Sequence, residues 1–434
     1  MERFAYKNGR LFCEDADVAA IAADAATPLY LYSAAALRDG YRAFADAFAP
    51  LDPTICFSIK SLSNVHILKL LREAGSGFDV VSGGELARAL AAGADPKAIV
   101  FAGVGKTDRE LREAIAAGIG VFNVESEAEF ENLSRLAAEA GAKVRAALRV
   151  NPDVYDPNTH THTATGRKES KFGVDIDRAA RFFQTYGRDA NVRLDGVHIH
   201  IGSPIYSAEP YVRAINKTLE LIGTLTGKGF EVSLFDVGGG YASDYEERSS
   251  PSAADYAAEI VPLLTGRGFE IILEPGRKIA ANSAILLTRV LYVKKGADRD
   301  FVIVDAAMTD LIRPAFYGSE HFVYPAALAE GAAAPQRRFD FSPPGGIKVD
   351  VVGGVCESSD FLAKDRVLPP LARGDLLAVF SAGAYGFVMS SQYNSRPRAA
   401  EVLVDRDAWR TIRRRETYDD LLAPERDVAR ASSP

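Results

Sequence analysis

The chain has 434 residues, 47% hydrophobic and 25% charged, the balance of a globular protein with a full core rather than a disordered, collagen-like or disulfide-built one. Lys and Arg number 51 against 58 Asp and Glu, a net charge of −7 that argues against nucleic acid as a main partner. Cys13, Cys56 and Cys356 cannot all pair and suit a reducing cytoplasm, no signal-peptide core opens the chain, and no apolar run is long enough to span a membrane.

Residues 4–13 and 28–33 read as strands. From 53 to 277 short β-rich runs alternate with helical ones, the strands expected at 54–60, 77–81, 98–102, 120–124, 144–150, 194–201, 232–237 and 269–274. Helical stretches such as 84–92, 108–117, 126–140 and 210–226 lie between them, and Gly75, Gly93, Gly118, Gly141 and Gly229 each stand just before the next strand. This alternation predicts parallel strands with right-handed crossovers, and eight units fit a closed (β/α)8 TIM-type barrel better than an open sheet. The connection over 151–174 is too long for a plain βα loop, which marks it as functional. After 283 the rhythm changes to strands at 284–294, 301–305, 348–352, 375–380 and 400–404, with an Ala- and Pro-rich loop at 325–346. The predicted organisation is an α/β chain: a barrel over 36–280, a β-sandwich or β-barrel-like domain built from 1–35 and 281–424, and a tail over 425–434.

Barrel enzymes place their chemistry at the C-terminal ends of the strands. Here those ends carry Lys60, Asp79, Gly103 to Lys106, Asn123, Glu125, Arg149, His200, Gly238-Gly239-Gly240 and Glu274-Pro275-Gly276-Arg277. Three glycines alone equally make a tight turn. With Arg277 on the neighbouring strand, a phosphate site is the better reading, because glycines let backbone N–H groups approach oxygens and arginine adds a fork of donors. A lysine at such a mouth is most simply a solvated one. Beside a phosphate site, Lys60 suggests an amine that forms an imine, and the pair points to pyridoxal 5′-phosphate with Glu274 facing the ring nitrogen.

His198 and His200 share one face of the sixth strand. A metal would need further ligands, and His66, His160, His162 and His321 stand at no convincing strand end. His200 reads as a flat group stacked on the cofactor ring, and His198 as a satisfied core histidine. Cys13 and Cys56 read as small buried hydrophobes. Cys356 lies in the polar turn Gly353-Gly354-Val355-Cys356-Glu357-Ser358-Ser359-Asp360, where packing has little use for it; a thiol there is a candidate proton donor, which the sequence alone does not place near Lys60.

Over nearly its full length the chain resembles the diaminopimelate decarboxylase family of fold-type III pyridoxal-phosphate enzymes. The resemblance rests on Gly77-Phe78-Asp79-Val80-Val81-Ser82-Gly83-Gly84-Glu85-Leu86, Arg149-Val150-Asn151-Pro152-Asp153, Lys171-Phe172-Gly173, His198-Ile199-His200-Ile201-Gly202-Ser203, the three glycines, Glu274-Pro275-Gly276-Arg277, Asp310-Leu311-Ile312-Arg313-Pro314, Cys356-Glu357-Ser358 and Gly383-Ala384-Tyr385-Gly386. It implies the loss of CO2 from meso-2,6-diaminopimelate to give L-lysine, the last step of lysine biosynthesis, by a homodimer with shared active sites. Lys60 would carry the cofactor, His200 stack on its ring and Glu274 protonate its nitrogen. Asp79, Arg149, Ser203, Gly239, Gly240, Gly276, Arg277 and Tyr385 would be further cofactor contacts. Arg277, Arg313, Tyr317, Glu357 and Tyr385 would meet the substrate, and Cys356 would be the acid. One departure stands out: the family's Lys-Ala-Asn-x-Asn reads Lys60-Ser61-Leu62-Ser63-Asn64 here. A metal-dependent barrel hydrolase and a catalytically dead relative are the other two classes. The first would hold zinc, and the second would lack the lysine or the phosphate loop, which this chain has.

Overall fold

The structure, a computed structural model, describes residues 3–154, 156, 171–247 and 249–431. Contacts divide the chain into two compact units, one of residues 1–37, 244–249 and 280–434, the other of 38–243 and 250–279.

The second unit is a closed barrel of eight parallel strands: Thr54–Ser58, Gly77–Val80, Ile99–Phe101, Val121–Val124, Val144–Asn151, Val192–His198, Leu234–Asp236 and Glu270–Leu273. The last pairs with the first through Ile272 with Thr54 and Leu273 with Ile55, which closes the ring. Local signals explain the helices between. Asp108–Ala117, for example, starts at Thr107, whose side chain forms a capping box with Glu110, and stops at Gly118 with φ +69°. Helices over Val65–Glu73, Ile176–Tyr186 and Ala253–Leu264 complete crossovers that the sequence had left undefined.

Alternation along the strands builds the barrel interior in layers. Cys56, Val100, Val121, Ala147, Leu234 and Ile272 form one buried apolar cluster. Side chains on a strand repeat their face every two residues. The next inward positions are therefore Ser58, Ala102, Asn123, Arg149, Asp236 and Glu274, and five of these six are polar. The apolar layer is a floor, and the polar layer above it stands at the strands' C-terminal ends. Gly196 belongs to the floor, where a Cβ would come within 2.6 Å of the Ala147 Cβ.

The first unit is a β-domain drawing on both chain ends, as expected. Leu29–Ser33 lies between Ala284–Lys294, which it pairs antiparallel, and Ala400–Asp405, which it pairs parallel. Further strands at Asp300–Val304, Val323–Pro325, Ile347–Val352, Phe361–Leu368, Leu376–Val379 and Ala408–Arg413 complete its main sheet, and Phe4–Lys7, Arg10–Cys13 and Ala16–Asp17 form a small one. At its C-terminal end Tyr418–Ala431 is helical, its start marked by Asp420, which accepts from the Thr417 backbone N–H at 2.7 Å.

Candidate active site

Lys60 falls just beyond its strand rather than on its last residue. The ladder with the next strand ends at Ser58 opposite Asp79, and the chain then turns through the short 3-10 helix Ile59–Ser61. The buried Ser61 hydroxyl donates to the Ser58 carbonyl at 2.8 Å and closes that turn, which gives the unusual serine after the lysine a local task. The turn directs the Lys60 ammonium onto the Asp79 carboxylate, which also accepts from the Ser58 hydroxyl at 2.7 Å. Asp79 has no exposed surface. Burial, with the charge of Glu274 nearby, pushes its carboxyl up against the opposing pull of Lys60.

Around Glu274 the polar layer forms one connected group. The Asn123 amide donates to Asp236 at 2.9 Å and to Glu274 at 3.3 Å, and the Gly238 N–H donates to Asp236 at 2.9 Å. The two carboxyls are driven apart. Burial and the charge of Glu274 hold Asp236 well above the usual carboxylate range; burial would raise Glu274 too, but His198 and Lys60 beside it hold it low. Of the two, Glu274 is the carboxyl that ionises more readily. His198 is buried as expected but not satisfied: neither ring nitrogen has a hydrogen-bond partner, and Nε2 stands 3.6 Å from a Glu274 oxygen. Strand alternation predicts that it points inward but not what it meets there. His198, Asp236 and Glu274 bring ligand-type atoms within 4.8 Å of one another, yet the carboxylates are tied to Asn123 and Gly238. His160 and His162 lie outside the described residues.

His200 lies two residues beyond its strand. Its Nδ1 accepts from the Gly239 N–H at 3.2 Å; burial and the positive charges of Arg149 and Lys60 hold the ring well below its usual pKa, so it is a neutral flat group. Arg149 forms a two-contact pair with the buried Glu125 at 3.0 Å and reaches the His200 carbonyl at 3.5 Å. Glu125 also accepts the Gly103 and Gly173 N–H groups, so it anchors three loops of the barrel mouth. Arg277 donates through Nε to the Ser203 hydroxyl at 3.1 Å. Gly239, Gly240 and Gly276 pack too closely against their neighbours to carry a side chain: a Cβ would meet the Glu274 carbonyl at 2.2 Å, the Gly202 carbonyl at 2.2 Å and the Ser58 Cβ at 2.9 Å. The Gly239 N–H, expected to face a phosphate, is held by His200 in this structure.

These residues fit pyridoxal 5′-phosphate. A primary amine on a carboxylate, a neutral imidazole face, an ionised buried carboxylate and a glycine corner beside a guanidinium match an aldehyde, a flat ring, a ring nitrogen and a phosphate respectively. Asp236 is the member of this layer that carries least signal in the sequence. Its only sign was its place two residues beyond an inward apolar residue.

The remaining candidates lie in the first unit. Arg313 and Tyr317 begin and end the short helix Arg313–Tyr317. Cys356 is exposed on the turn after Ile347–Val352, its N–H donating to Asn394 at 3.1 Å. Glu357 accepts from the Tyr393 hydroxyl at 2.5 Å and the Ser359 hydroxyl at 3.0 Å, hydrogen bonds that hold its carboxyl below the usual range. Tyr385 has φ +57°, in a turn where Gly383 and Gly386 pack their Cα atoms against backbone.

Comparison with known proteins places these features in company. The family described as pyridoxal-dependent decarboxylase, pyridoxal binding domain, matches residues 34–281. The chain is 47% identical to the diaminopimelate decarboxylase of Pseudomonas aeruginosa over 98% of its length and 99% of that protein's. To the enzyme of that name from Aquifex aeolicus it is 44% identical, over 98% and 97% respectively. The crystal structure of diaminopimelate decarboxylase from Helicobacter pylori complexed with L-lysine superposes with a TM-score of 0.88 at 39% identity, over 95% of this chain and all of that one.

Proposed function

The chain belongs to the diaminopimelate decarboxylase family of pyridoxal-dependent enzymes, and we propose that its barrel residues hold the cofactor while Arg313 and Glu357 read the substrate. It is a carboxy-lyase that removes CO2 from meso-2,6-diaminopimelate to leave L-lysine, the last step of lysine biosynthesis. When bound, pyridoxal 5′-phosphate supplies the electron sink for the carbanion that CO2 leaves behind.

The polar layer of the barrel, with Lys60 at its rim and Glu274 within it, carries this reading. Lys60 is the attachment point, and Asp79 orients its amine. Glu274, held ionised, keeps a proton on the ring nitrogen, and Asn123 fixes the carboxylate's direction. The neutral His200 offers its face without adding a charge that would compete for electrons. Arg277, braced by Ser203, and the glycine corner bind phosphate. Arg149, Gly276 and Tyr385 complete the cofactor contacts.

At the substrate's far end stands a second amino-acid head, a cation and an anion on one carbon. The Glu357 carboxylate suits the ammonium and Arg313 the carboxylate, a pairing that a substrate ending in a bare amine leaves half unused. Arg277, Tyr317 and Tyr385 are further substrate contacts. The Cys356 thiol delivers a proton to the carbon that lost CO2, and one oriented acid sets the stereochemistry at a gain of about 10²–10⁴ in rate. We place Cys356 and Glu357 in the partner subunit's site, within a two-fold dimer in which the loan is reciprocal. No helix among the described residues is long and apolar enough to cross a membrane, and three free thiols suit the cytoplasm.

The test is a purified, cofactor-saturated enzyme assayed for CO2 release from meso-diaminopimelate, lysine, ornithine and arginine, with the visible spectrum recorded before and after borohydride. Turnover of diaminopimelate alone, with a borohydride-fixed chromophore, is expected. Preference for a bare diamino acid would overturn the substrate assignment, and a colourless protein that cannot be loaded would overturn the cofactor's.

A further inference from the structure

The reading of Arg313 as the group that binds the distal carboxylate leaves unexplained why its guanidinium is buried in the β-domain, at 5% exposure, beside a fully buried histidine. Arg313 Nη1 lies 3.1 Å from His321 Nε2, and His321 Nδ1 lies 2.9 Å from the Phe380 carbonyl. A guanidinium has only donors and a carbonyl only accepts. Nε2 must therefore offer its lone pair to Arg313, and Nδ1 must carry the proton. The partners alone fix a neutral imidazole in a single tautomer.

The other contacts narrow the guanidinium further. Nη2 donates to the Ser319 hydroxyl at 3.3 Å, and the guanidinium carbon lies 4.9 Å from the Tyr245 ring centroid. The His321 ring meets the same tyrosine edge to face, centroids 5.5 Å apart at 89°. Phe380 is itself pinned, its N–H donating to the Phe322 carbonyl at 2.8 Å. Backbone position at Phe380 is thus relayed through one imidazole to the plane of the Arg313 fork.

We propose that His321 is a positioning residue for substrate specificity: as a neutral Nδ1–H imidazole it fixes the Arg313 guanidinium in the orientation that receives the distal carboxylate. The proposal rests on the reading of Arg313 given above. A two-pronged contact with a carboxylate requires the fork's plane as well as its charge. Arg313 held only by its own flexible chain would keep the charge and lose the plane.

Two amides separate this role from a structural one. His321→Asn places a donor near the Nδ1 position and can keep the Phe380 contact, but it has nothing at Nε2. His321→Gln reaches the Nε2 position with an acceptor for Arg313. Steady-state kinetics on cofactor-saturated enzyme should give KM for meso-diaminopimelate raised about tenfold in His321→Asn with kcat nearly unchanged, and restored close to wild type in His321→Gln, in the range of a misplaced binding group. In an Arg313→Ala background, His321→Asn should add no further rise. If both amides raise KM alike, if Asn rather than Gln restores it, or if the effect persists without Arg313, His321 is a structural residue and the proposal fails. An unchanged KM in Arg313→Ala would instead overturn the reading of Arg313 itself. Should the histidine variants not fold, the half-buried Ser319→Ala removes the fork's other acceptor; a severalfold rise in KM is then expected, and a wild-type KM counts against a positioned fork.

Discussion

The Lys60 ammonium is paired with the carboxylate of Asp79, a residue with no exposed surface that stands level with Ser58 on the neighbouring barrel strand. The lysine side chain keeps 32% of its surface exposed, so the pair directs the amine without sealing it away. An amine directed by a buried carboxylate but carried on a part-exposed side chain is suited to carrying a covalently attached cofactor.

Lys60→Ala should therefore lose both turnover and the adduct that borohydride traps, while the fold survives because Asp79, whose carboxyl burial already pushes up, takes up a proton when its partner is lost. Mass spectrometry of the reduced, digested protein is the measurement. Cofactor fixed on another lysine would refute the assignment.

Glu274→Gln should still bind cofactor, since Arg277 and the glycine corner are untouched, yet decarboxylate orders of magnitude more slowly through a weakened electron sink. Cofactor content by absorbance and rate by CO2 release separate the two. Near-normal turnover would exclude Glu274 as the group that keeps the ring nitrogen protonated.

The glycine corner makes a steric prediction. In Gly239→Ala the new methyl would lie 2.2 Å from the Glu274 carbonyl, so the corner must shift, and cofactor affinity should fall by at least about tenfold. Gly105→Ala, with nothing within 4 Å of its Cβ, is the control and should bind normally. Equal affinities in the two variants would show that the corner does not hold the cofactor.

Asp310 carries the clearest pH dependence. Burial pushes its carboxyl up to about 7, against the Ala307 N–H that it accepts at 2.9 Å and the charge of Arg396. The folded protein holds a proton there that the unfolded chain releases near its ordinary value, so this site's stability is full in acid and declines as pH rises toward 7, by up to about 1.4 kcal/mol per pH unit. Asp310→Asn keeps an acceptor and removes the buried charge. Its Tm should exceed wild type at pH 8, and the gap should narrow toward pH 5 and close only near the ordinary carboxylate value, about pH 4; parallel curves would show that Asp310 does not titrate in this range.

Sharing of Cys356 across a dimer predicts complementation. Lys60→Ala and Cys356→Ala homodimers should each be nearly inactive, whereas a mixed dimer has one doubly damaged site and one intact site. With random assortment about half the dimers are mixed, so about a quarter of wild-type activity should return on co-expression. Background activity with mixed dimers demonstrably present would mean that Cys356 serves its own barrel or is not the acid.

Much of this was legible along the chain. Short β-rich runs, each following a helical stretch closed by glycine, predicted the eight strands, and Asp108–Ala117 and Ala284–Lys294 fall on their expected bounds because capping boxes, left-handed glycines and β-branched runs act locally. The residues at the strand ends announced an amine, a phosphate corner and a carboxylate for the same reason: parallel strands point their C-terminal ends one way, so order in sequence becomes proximity in space. Partnerships between distant residues were not legible. Asn123 bridges Asp236 and Glu274 only because the barrel closes, and the resulting split, one carboxyl pushed up and the other held low, arises from a shared dry interior that no local pattern encodes. His321 looked like a histidine without a role, since nothing in its neighbours reveals that the Phe380 carbonyl will fix its tautomer. Local patterns along the chain specify which elements form and which reactive groups stand at their ends; the charge states and orientations of those groups come from packing, because both depend on what burial removes and on which partners come within hydrogen-bond reach.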